Sequence, residues 1–324
     1  MDISVIIPVY NVEPFITECL DSLYAQRHLS GVSIEAIIID DRGTDNSMAI
    51  VRKYLAEHIL PFDTHIIEHS SNRGLSAARN SGIRNATGKY VYLLDSDDIL
   101  APDCLSTLWS EVTAHPDVDI VYGYTEYFPD TSYMKEYFAP TRNITATYLA
   151  GTEYKRLHFE INVLATNRLI RRQMILAHNL FFKEGIIHED YLWHYMAFEH
   201  IRSVALPADK TPTYHYRQRC GSITSESTGD KRTANMMPVH DVLFEHISHT
   251  SHIGFTLLWN LMLAMDGYRQ TKEFRGIYRR YWHTLYRAQS IGWRHRIVLL
   301  YHRLPLSLRS FRILYRLNKY LVKD

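Results

Sequence analysis

Short continuous apolar runs alternate with stretches of helical periodicity through the first third of the chain. Ile3 to Val9 is apolar on both sides of the pleat, which predicts a strand buried on both faces. Pro14 then opens a helix whose Phe15, Ile16, Cys19, Leu20 and Leu23 share one face. Ile34 to Ile39 reads as a second strand, followed after Thr44 by a helix carrying Ile50, Val51, Tyr54 and Leu55. His65 to Glu68 predicts a third strand, Leu75 to Asn85 a helix, and Tyr90 to Leu94 a fourth strand ending at Asp95. Pro102 to His115 continues as a helix and residues 119 to 124 add another strand.

Repeated strand-helix units predict an α/β fold, a mostly parallel sheet with right-handed crossovers and helices on its faces. In the middle of the chain, Asn167 to Asn179 has helical spacing at Leu169, Ile170, Met174 and Ile175, and Tyr191 to Phe198 predicts an aromatic helix behind Glu189-Asp190. Residues 230 to 324 read as helical. The expected organisation is a domain over 1–229, divided into halves at 125/126, and a helical region over 230–324.

Charge alters this picture mainly at the end of the chain. The net charge is +1, yet Phe274 to Lys323 holds twelve Lys or Arg and no Asp or Glu, so an acidic body carries a basic tail. Trp282, Tyr286, Trp293, Tyr301, Phe311 and Tyr315 interleave with those cations, as suits a helix lying on an anionic membrane surface. An acidic partner subunit and an ordinary solvated helix face are competing readings. Nucleic acid is not expected, because no recognition module is visible and the acidic body repels phosphates. Ile253 to Met265 is nearly all apolar and is expected to pack on the first domain or on a twin in a homodimer.

Neither a signal peptide nor an apolar stretch of membrane-spanning length is found. The three cysteines, Cys19, Cys104 and Cys220, lack metal-type spacing. Both observations suit a cytoplasmic protein.

The candidate chemistry lies at the ends of strands. Asp95, Asp97 and Asp98 follow the fourth strand within four residues and repel one another unless a cation or hydrogen-bond donors neutralise them. A hard divalent metal with oxygen ligands is one answer, and a helix N-terminus is the other. Asp40-Asp41 ends the second strand at the same edge, where a parallel sheet presents its ligands, although a plain turn into Arg42-Gly43 reads equally well there. The run Val9 to Pro14 contains no glycine, which excludes the dinucleotide and phosphate-loop fingerprints.

Four segments in order then carry a resemblance: Ile6-Ile7-Pro8-Val9-Tyr10-Asn11, Asp40-Asp41-Arg42-Gly43-Thr44-Asp45, Asn72-Arg73-Gly74-Leu75-Ser76-Ala77-Ala78-Arg79-Asn80 and Asp95-Ser96-Asp97. They resemble family 2 glycosyltransferases, of the kind that build bacterial surface polysaccharides. The resemblance implies a GT-A fold, a nucleotide-sugar donor with UDP first among the candidates, a divalent metal (Mn²⁺ or Mg²⁺) and inversion at the anomeric carbon. It implies a nucleotide-sugar site made of Pro8, Val9, Tyr10, Asn11, Asp40, Asp41, Asn72, Arg79, Asp95 and Ser96, with Asp97, Asp95 and His215 as metal ligands. Phe182 to Asp190 is similar to the family's acceptor-side motif, so Asp190 is expected to act as base and Glu189 to orient the acceptor. Tyr214 to Thr224 resembles the segment that folds over the diphosphate, with Arg217, Arg219 and Ser222 as phosphate donors. One departure stands out: the family usually has Gly-Ser where this chain has Arg42-Gly43.

The acceptor implied is a glycan or a lipid-linked oligosaccharide, at the inner face of the cytoplasmic membrane. The Gln-x-x-Arg-Trp motif of processive synthases is missing, Gln289 to Trp293 lacking the Arg, so one sugar per encounter is expected. The alternatives are a nucleotidyltransferase acting on a sugar phosphate, and an inactive membrane adaptor of the same fold.

Overall fold

The computed structural model describes residues 1–128, 144–151, 153–154, 163–219, 229–249 and 275–287, with the single positions 296 and 300. The chain divides into two compact units, Met1–Ser225 and Glu226–Asp324.

The first unit is built on an eight-stranded sheet of order β3-β2-β1-β4-β9-β6-β10-β8. Strand β1 (Ile3–Val9) is buried along its whole length and pairs in parallel with β2 (Ile34–Asp40) and β4 (Tyr90–Leu93), while β3 (Asp63–Glu68) extends the sheet beyond β2. Next to β4, β9 (Arg168–Arg171) runs antiparallel to both β4 and β6 (Ile120–Tyr122). Strand β10 (Ser203–Ala205) is parallel to β6, and β8 (Tyr148–Ala150) closes the edge antiparallel to β10. Six of these eight strands therefore share one direction.

Alternation along β1 sends Val5, Ile7 and Val9 into one core layer and Ile6 into the other. Helix α1 (Ile16–Tyr24) covers the first layer with Ile16, Cys19, Leu20 and Leu23. Helix α3 (Leu75–Asn85) covers the second, and it lies so close that a Cβ on Gly82 would stand 2.2 Å from Ile6 Cγ2. Helices α2 (Ser47–Glu57) and α4 (Cys104–Ala114) complete the crossovers.

Pro8 in a central strand lacks an N–H for the ladder, and the topology explains its tolerance. Pairing of β1 with β4 ends at Ile6 and Leu93, so the last part of β1 has a neighbour on only one side. The chain order reverses at this same place, with β2 and β3 on one flank of β1 and β4 on the other. This is the switch point of the sheet, and open α/β sheets bind ligands beyond the strand ends at such a point.

The helix expected over 167–179 is instead strand β9 followed by the short helix α5 (Arg172–Ala177). Leu169 and Ile170 are completely buried on opposite faces of the sheet, and a brief apolar run does not distinguish a buried strand from a helix. A second sheet of three short strands, β5 (Ile99–Leu100), β11 (Tyr214–Arg217) and β7 (Thr125–Phe128), lies beyond the acidic end of β4. Helix α6 (Glu189–Phe198) begins with the two acids of the acceptor-side segment.

In the second unit, α7 (Gly229–His249) packs on α8 (Arg275–Arg287) through stacked Phe244 and Tyr281 rings, whose centroids are 3.9 Å apart. Asp241 accepts from Tyr281 and Arg280 at 2.6 and 2.8 Å. Tyr281, Trp282 and Leu285 are buried, while Arg279, Arg280, His283 and Arg287 form the exposed face of α8. Trp282 thus packs inward rather than toward a membrane. The apolar run 253–265 and the aromatic positions from 293 onward lie outside the described residues. Among the described residues, no helix is long and apolar enough to cross a membrane.

Candidate active site

Two loops lie side by side at the ends of β1 and β2. Asn11, in the left-handed backbone region, accepts the Thr44 N–H at 2.7 Å, while Asp45 accepts the Glu13 N–H at 2.9 Å and the Ser47 hydroxyl at 2.6 Å. A side chain on Gly43 would place Cβ 2.8 Å from Asn11 Oδ1 and 2.9 Å from Asn11 N, so this closeness requires glycine. Pro8 and Val9 are buried beneath the loops, and Tyr10 projects outward with 45% of its surface exposed.

The two acids ending β2 have different tasks. Asp41 is almost completely buried and its oxygens are occupied: Oδ1 by the Arg73 N–H at 2.9 Å and His69 Nδ1 at 2.6 Å, Oδ2 by the Gly74 N–H at 2.8 Å. Its carboxylate thereby holds the loop that carries exposed Asn72 and leads into α3. Asp40 faces Arg42, whose N–H donates to Oδ1 at 2.8 Å and whose guanidinium reaches Oδ2 at 3.2 Å.

Arg42 stands in the left-handed region with φ 56°, where glycine is at ease and other residues are strained by roughly 1–2 kcal/mol. Its side chain supplies partial compensation by donating to the His69 carbonyl at 2.5 Å and to Glu68 at 2.7 Å. Arg42 thus stands, where the family pattern has glycine, in a backbone conformation that glycine favours.

Each of the three acids after β4 has its own partner. Asp95 accepts from Arg79 Nη2 at 2.8 Å, and Asp97 accepts from Arg219 Nε at 2.7 Å. Asp98 is buried and accepts the Tyr214 hydroxyl at 2.6 Å and the Arg217 N–H at 2.7 Å, both from β11. Burial and then the charge of Asp95 raise the pKa of Asp97 despite Arg219. Burial, with Asp97 and Asp95 adding, pushes Asp98 well above the usual carboxylate range. Asp98 therefore pins β11 beneath the acidic loop and is no helix cap, since α4 begins only at Cys104. Ser96 is buried between these acids.

Arg217 is fixed at several points. Its Nε donates to the Asp97 carbonyl at 2.8 Å, its guanidinium pairs with Glu18, and it lies over the Phe15 and Phe128 rings at 5.0 and 4.4 Å. His215 is paired through Nδ1 with Glu126 at 2.6 Å on the neighbouring strand. Among the described residues no three His, Cys, Asp or Glu side chains are gathered as metal ligands. The expected trio of Asp97, Asp95 and His215 is therefore not assembled. What the structure offers a hard cation is one carboxylate oxygen each of Asp95 and Asp97 outside their arginine pairs. That donor set fits a divalent ion held by one or two carboxylates with substrate phosphates completing its shell. Ser222 lies outside the described residues.

Helix α3 joins this edge to the acceptor-side segment. Arg79 is buried, with Nη1 on Glu189 at 2.7 Å and Nη2 on Asp95 at 2.8 Å. Both terminal nitrogens of Arg79, which is expected to help hold the nucleotide, serve protein carboxylates here. Asn80 holds the Phe182 backbone from both sides, donating to its carbonyl and accepting its N–H at 2.8 Å each. Burial raises Glu189 to about 7, against the pull of Arg79 and with help from the neighbouring Asp190 charge. Burial raises Asp190 too, opposed first by Arg79. Asp190 accepts the Tyr191 N–H at 2.8 Å and stands at the start of α6, behind His188 in the left-handed region.

A model of the family described as glycosyl transferase family 2 matches residues 4–176, over half of the chain, including both loops and the acidic end of β4. The chain belongs to glycosyl transferase family 2. Over 230 residues it is 34% identical to EpsH of Bacillus subtilis (strain 168), provisionally named a glycosyltransferase, covering 68% of this chain and 62% of EpsH. The match thus spans under two thirds of that relative's length. The structure of S. aureus TarS 1-349 in complex with UDP-GlcNAc superposes with a TM-score of 0.68 at 20% identity, over 94% of this chain and 87% of the other. The mannosyltransferase PcManGT from Pyrobaculum calidifontis, in complex with GDP-Man and Mn²⁺, gives 0.55 at 19% identity over 99% and 84%. These likenesses show the GT-A fold of the family.

Proposed function

We propose that the protein is an inverting glycosyltransferase that moves one sugar from a nucleotide-sugar donor, a UDP-sugar in the first instance, to a hydroxyl of a glycan or lipid-linked acceptor. The observation that carries this reading is the Arg79 bridge. One buried guanidinium binds Asp95, at the donor edge of the sheet, and Glu189, next to the candidate base Asp190. Family membership and the nucleotide-sugars in the TarS and mannosyltransferase complexes support the donor class.

In this mechanism Tyr10, Asn11 and Asp40 receive the nucleoside at the switch point, on loops that Asp41 and Asp45 hold rigid. Asp190 accepts the proton of the acceptor hydroxyl as the oxygen forms its bond to the anomeric carbon and the bond to the diphosphate breaks. The leaving electron pair stays on the nucleoside diphosphate. A raised pKa makes Asp190 a stronger base than an exposed carboxylate. Glu189, held by Arg79, keeps the start of α6 in place and orients the acceptor. Asp97 and Asp95 would hold the divalent ion, which when bound supplies Lewis-acid neutralisation of the diphosphate. The Mn²⁺ in the mannosyltransferase complex supports that assignment.

The exposed cations Arg279, Arg280 and Arg287 of α8 support docking on an anionic membrane surface, where a lipid-linked acceptor resides.

Thermal unfolding with UDP, GDP or CMP, each with Mn²⁺, Mg²⁺ or chelator, tests the donor class. Ligand at 100 times its dissociation constant stabilises by about 2.7 kcal/mol. A shift with UDP that requires metal supports the reading, whereas no shift with any nucleotide contradicts it and favours the inactive adaptor.

A further inference from the structure

Three carboxylates in four residues are stable here because each has a separate donor, and the three donors differ in how firmly they are held. Arg79 is enclosed between two acids. Arg217 has backbone and side-chain ties to Asp98, the Asp97 carbonyl and Glu18, together with two aromatic rings. Among the described residues, Arg219 makes one ion pair, to Asp97, and otherwise lies near the Phe15 ring at 5.5 Å. Its side chain is 30% exposed and that of Asp97 is 20% exposed, so solvent reaches the pair.

We infer that Arg219 is an exchangeable counter-cation: it neutralises Asp97 until a divalent ion takes that carboxylate, and the released guanidinium then moves to the nucleoside diphosphate. This rests on the reading above of Asp97 as a metal ligand. A dication on the Asp97 oxygen outside the Arg219 pair neutralises the carboxylate that holds the guanidinium and repels its charge, so each partner weakens the hold of the other. The guanidinium matches phosphate oxygens as well as it matches a carboxylate and loses little by the exchange once a diphosphate is present. Arg217, anchored two residues earlier, keeps Arg219 near either partner. Metal and nucleotide thereby favour each other's binding, and linkage makes that coupling reciprocal.

The sign of the Arg219→Gln effect separates this role from a simpler one. Without nucleotide, the variant loses the internal competitor, so Mn²⁺ titrated alone and followed by its spin-resonance signal binds about tenfold tighter than to the parent protein. With Mn²⁺ saturating, UDP binds about tenfold weaker to the variant by calorimetry, since a phosphate donor is missing. Arg219→Lys preserves a cation and falls between the two in both titrations.

Unchanged Mn²⁺ affinity in Arg219→Gln, with UDP weakened, overturns the exchange and leaves Arg219 a plain phosphate donor. Weakened Mn²⁺ affinity also overturns it, by making Arg219 a support for the metal carboxylate. Asp97→Asn tests the underlying assignment separately. If that variant binds Mn²⁺ as tightly as the parent, Asp97 is no ligand and the inference falls with it.

Discussion

Arg79 donates to Glu189 across 2.7 Å with both side chains nearly out of solvent, joining two motifs that lie far apart in the chain. A guanidinium removed from water is stable only when paired, and Asp95 completes the pairing on its other nitrogen. Arg79→Met leaves both acids without their cation, and breaking such a buried pair costs about 3–5 kcal/mol. Thermal unfolding should fall by roughly 6–20 °C at the usual 2–4 °C per kcal/mol for chains of this size class. A loss below about 1 kcal/mol would show that the pair is structurally idle.

Glu189 also gives stability a pH dependence. Its pKa in the folded protein is about 7, above the ordinary 4.5, so the native state holds this proton more tightly than the unfolded chain does. The stabilising contribution is complete below 4.5 and lost as pH rises through about 7. Glu189→Gln cannot ionise yet still accepts from Arg79, and it should gain on the parent over that interval, by at most about 3 kcal/mol. Urea unfolding at stepped pH provides the comparison; parallel curves for the two proteins would contradict the assignment.

Gly43 and Asn11 lie too close for a methyl group between them. Gly43→Ala forces the two donor-side loops apart, with an overpacking cost of about 1–3 kcal/mol. If these loops receive the nucleoside as proposed, the dissociation constant for UDP should rise about tenfold or more, equivalent to 1.4 kcal/mol. Wild-type UDP affinity in a folded Gly43→Ala protein would remove the loops from the donor site.

Arg42 tests the backbone more than the charges. Arg42→Gly relieves a left-handed residue but deletes partly exposed ion pairs worth about 0–1 kcal/mol each, so stability should move by less than about 1 kcal/mol. Arg42→Val keeps the strain, worsens it by β-branching and loses the pairs, and should cost about 2 kcal/mol. Equal stability for the Gly and Val variants in denaturant titration would refute the left-handed assignment.

The α/β sheet was legible in sequence because three of its first four strands, β1, β2 and β4, are buried on both faces and separated by helices with one apolar face. The parts that escaped were those decided by contacts distant in the chain. Leu169 and Ile170 have the same spacing in a strand or a helix, and only insertion between β4 and β6 selects the strand. Ile99–Leu100 is too short for any periodicity, yet its pairing with β11 brings Tyr214 and Arg217 to Asp98. Within the site, the motif acids could be located by residue type and position, but not divided by task. Asp40 and Asp41 are adjacent in sequence; the His69, Arg73 and Gly74 contacts that make Asp41 a loop anchor come from residues some thirty positions later. His69 carries no motif signal, and the contacts of Glu184 with Arg73 and Asn80, though Glu184 lies within the acceptor-side segment, emerge only in three dimensions.

The central claim is that Asp190 takes the acceptor proton, and single-turnover transfer by Asp190→Asn tests it most directly. With donor, metal and acceptor saturating, and with thermal unfolding and UDP affinity confirmed near parental values, the account predicts a loss of about 10²-fold or more in the transfer rate, the contribution of a positioned general base. Transfer at the parental rate by that folded, nucleotide-binding variant would contradict it and require another group to serve as base.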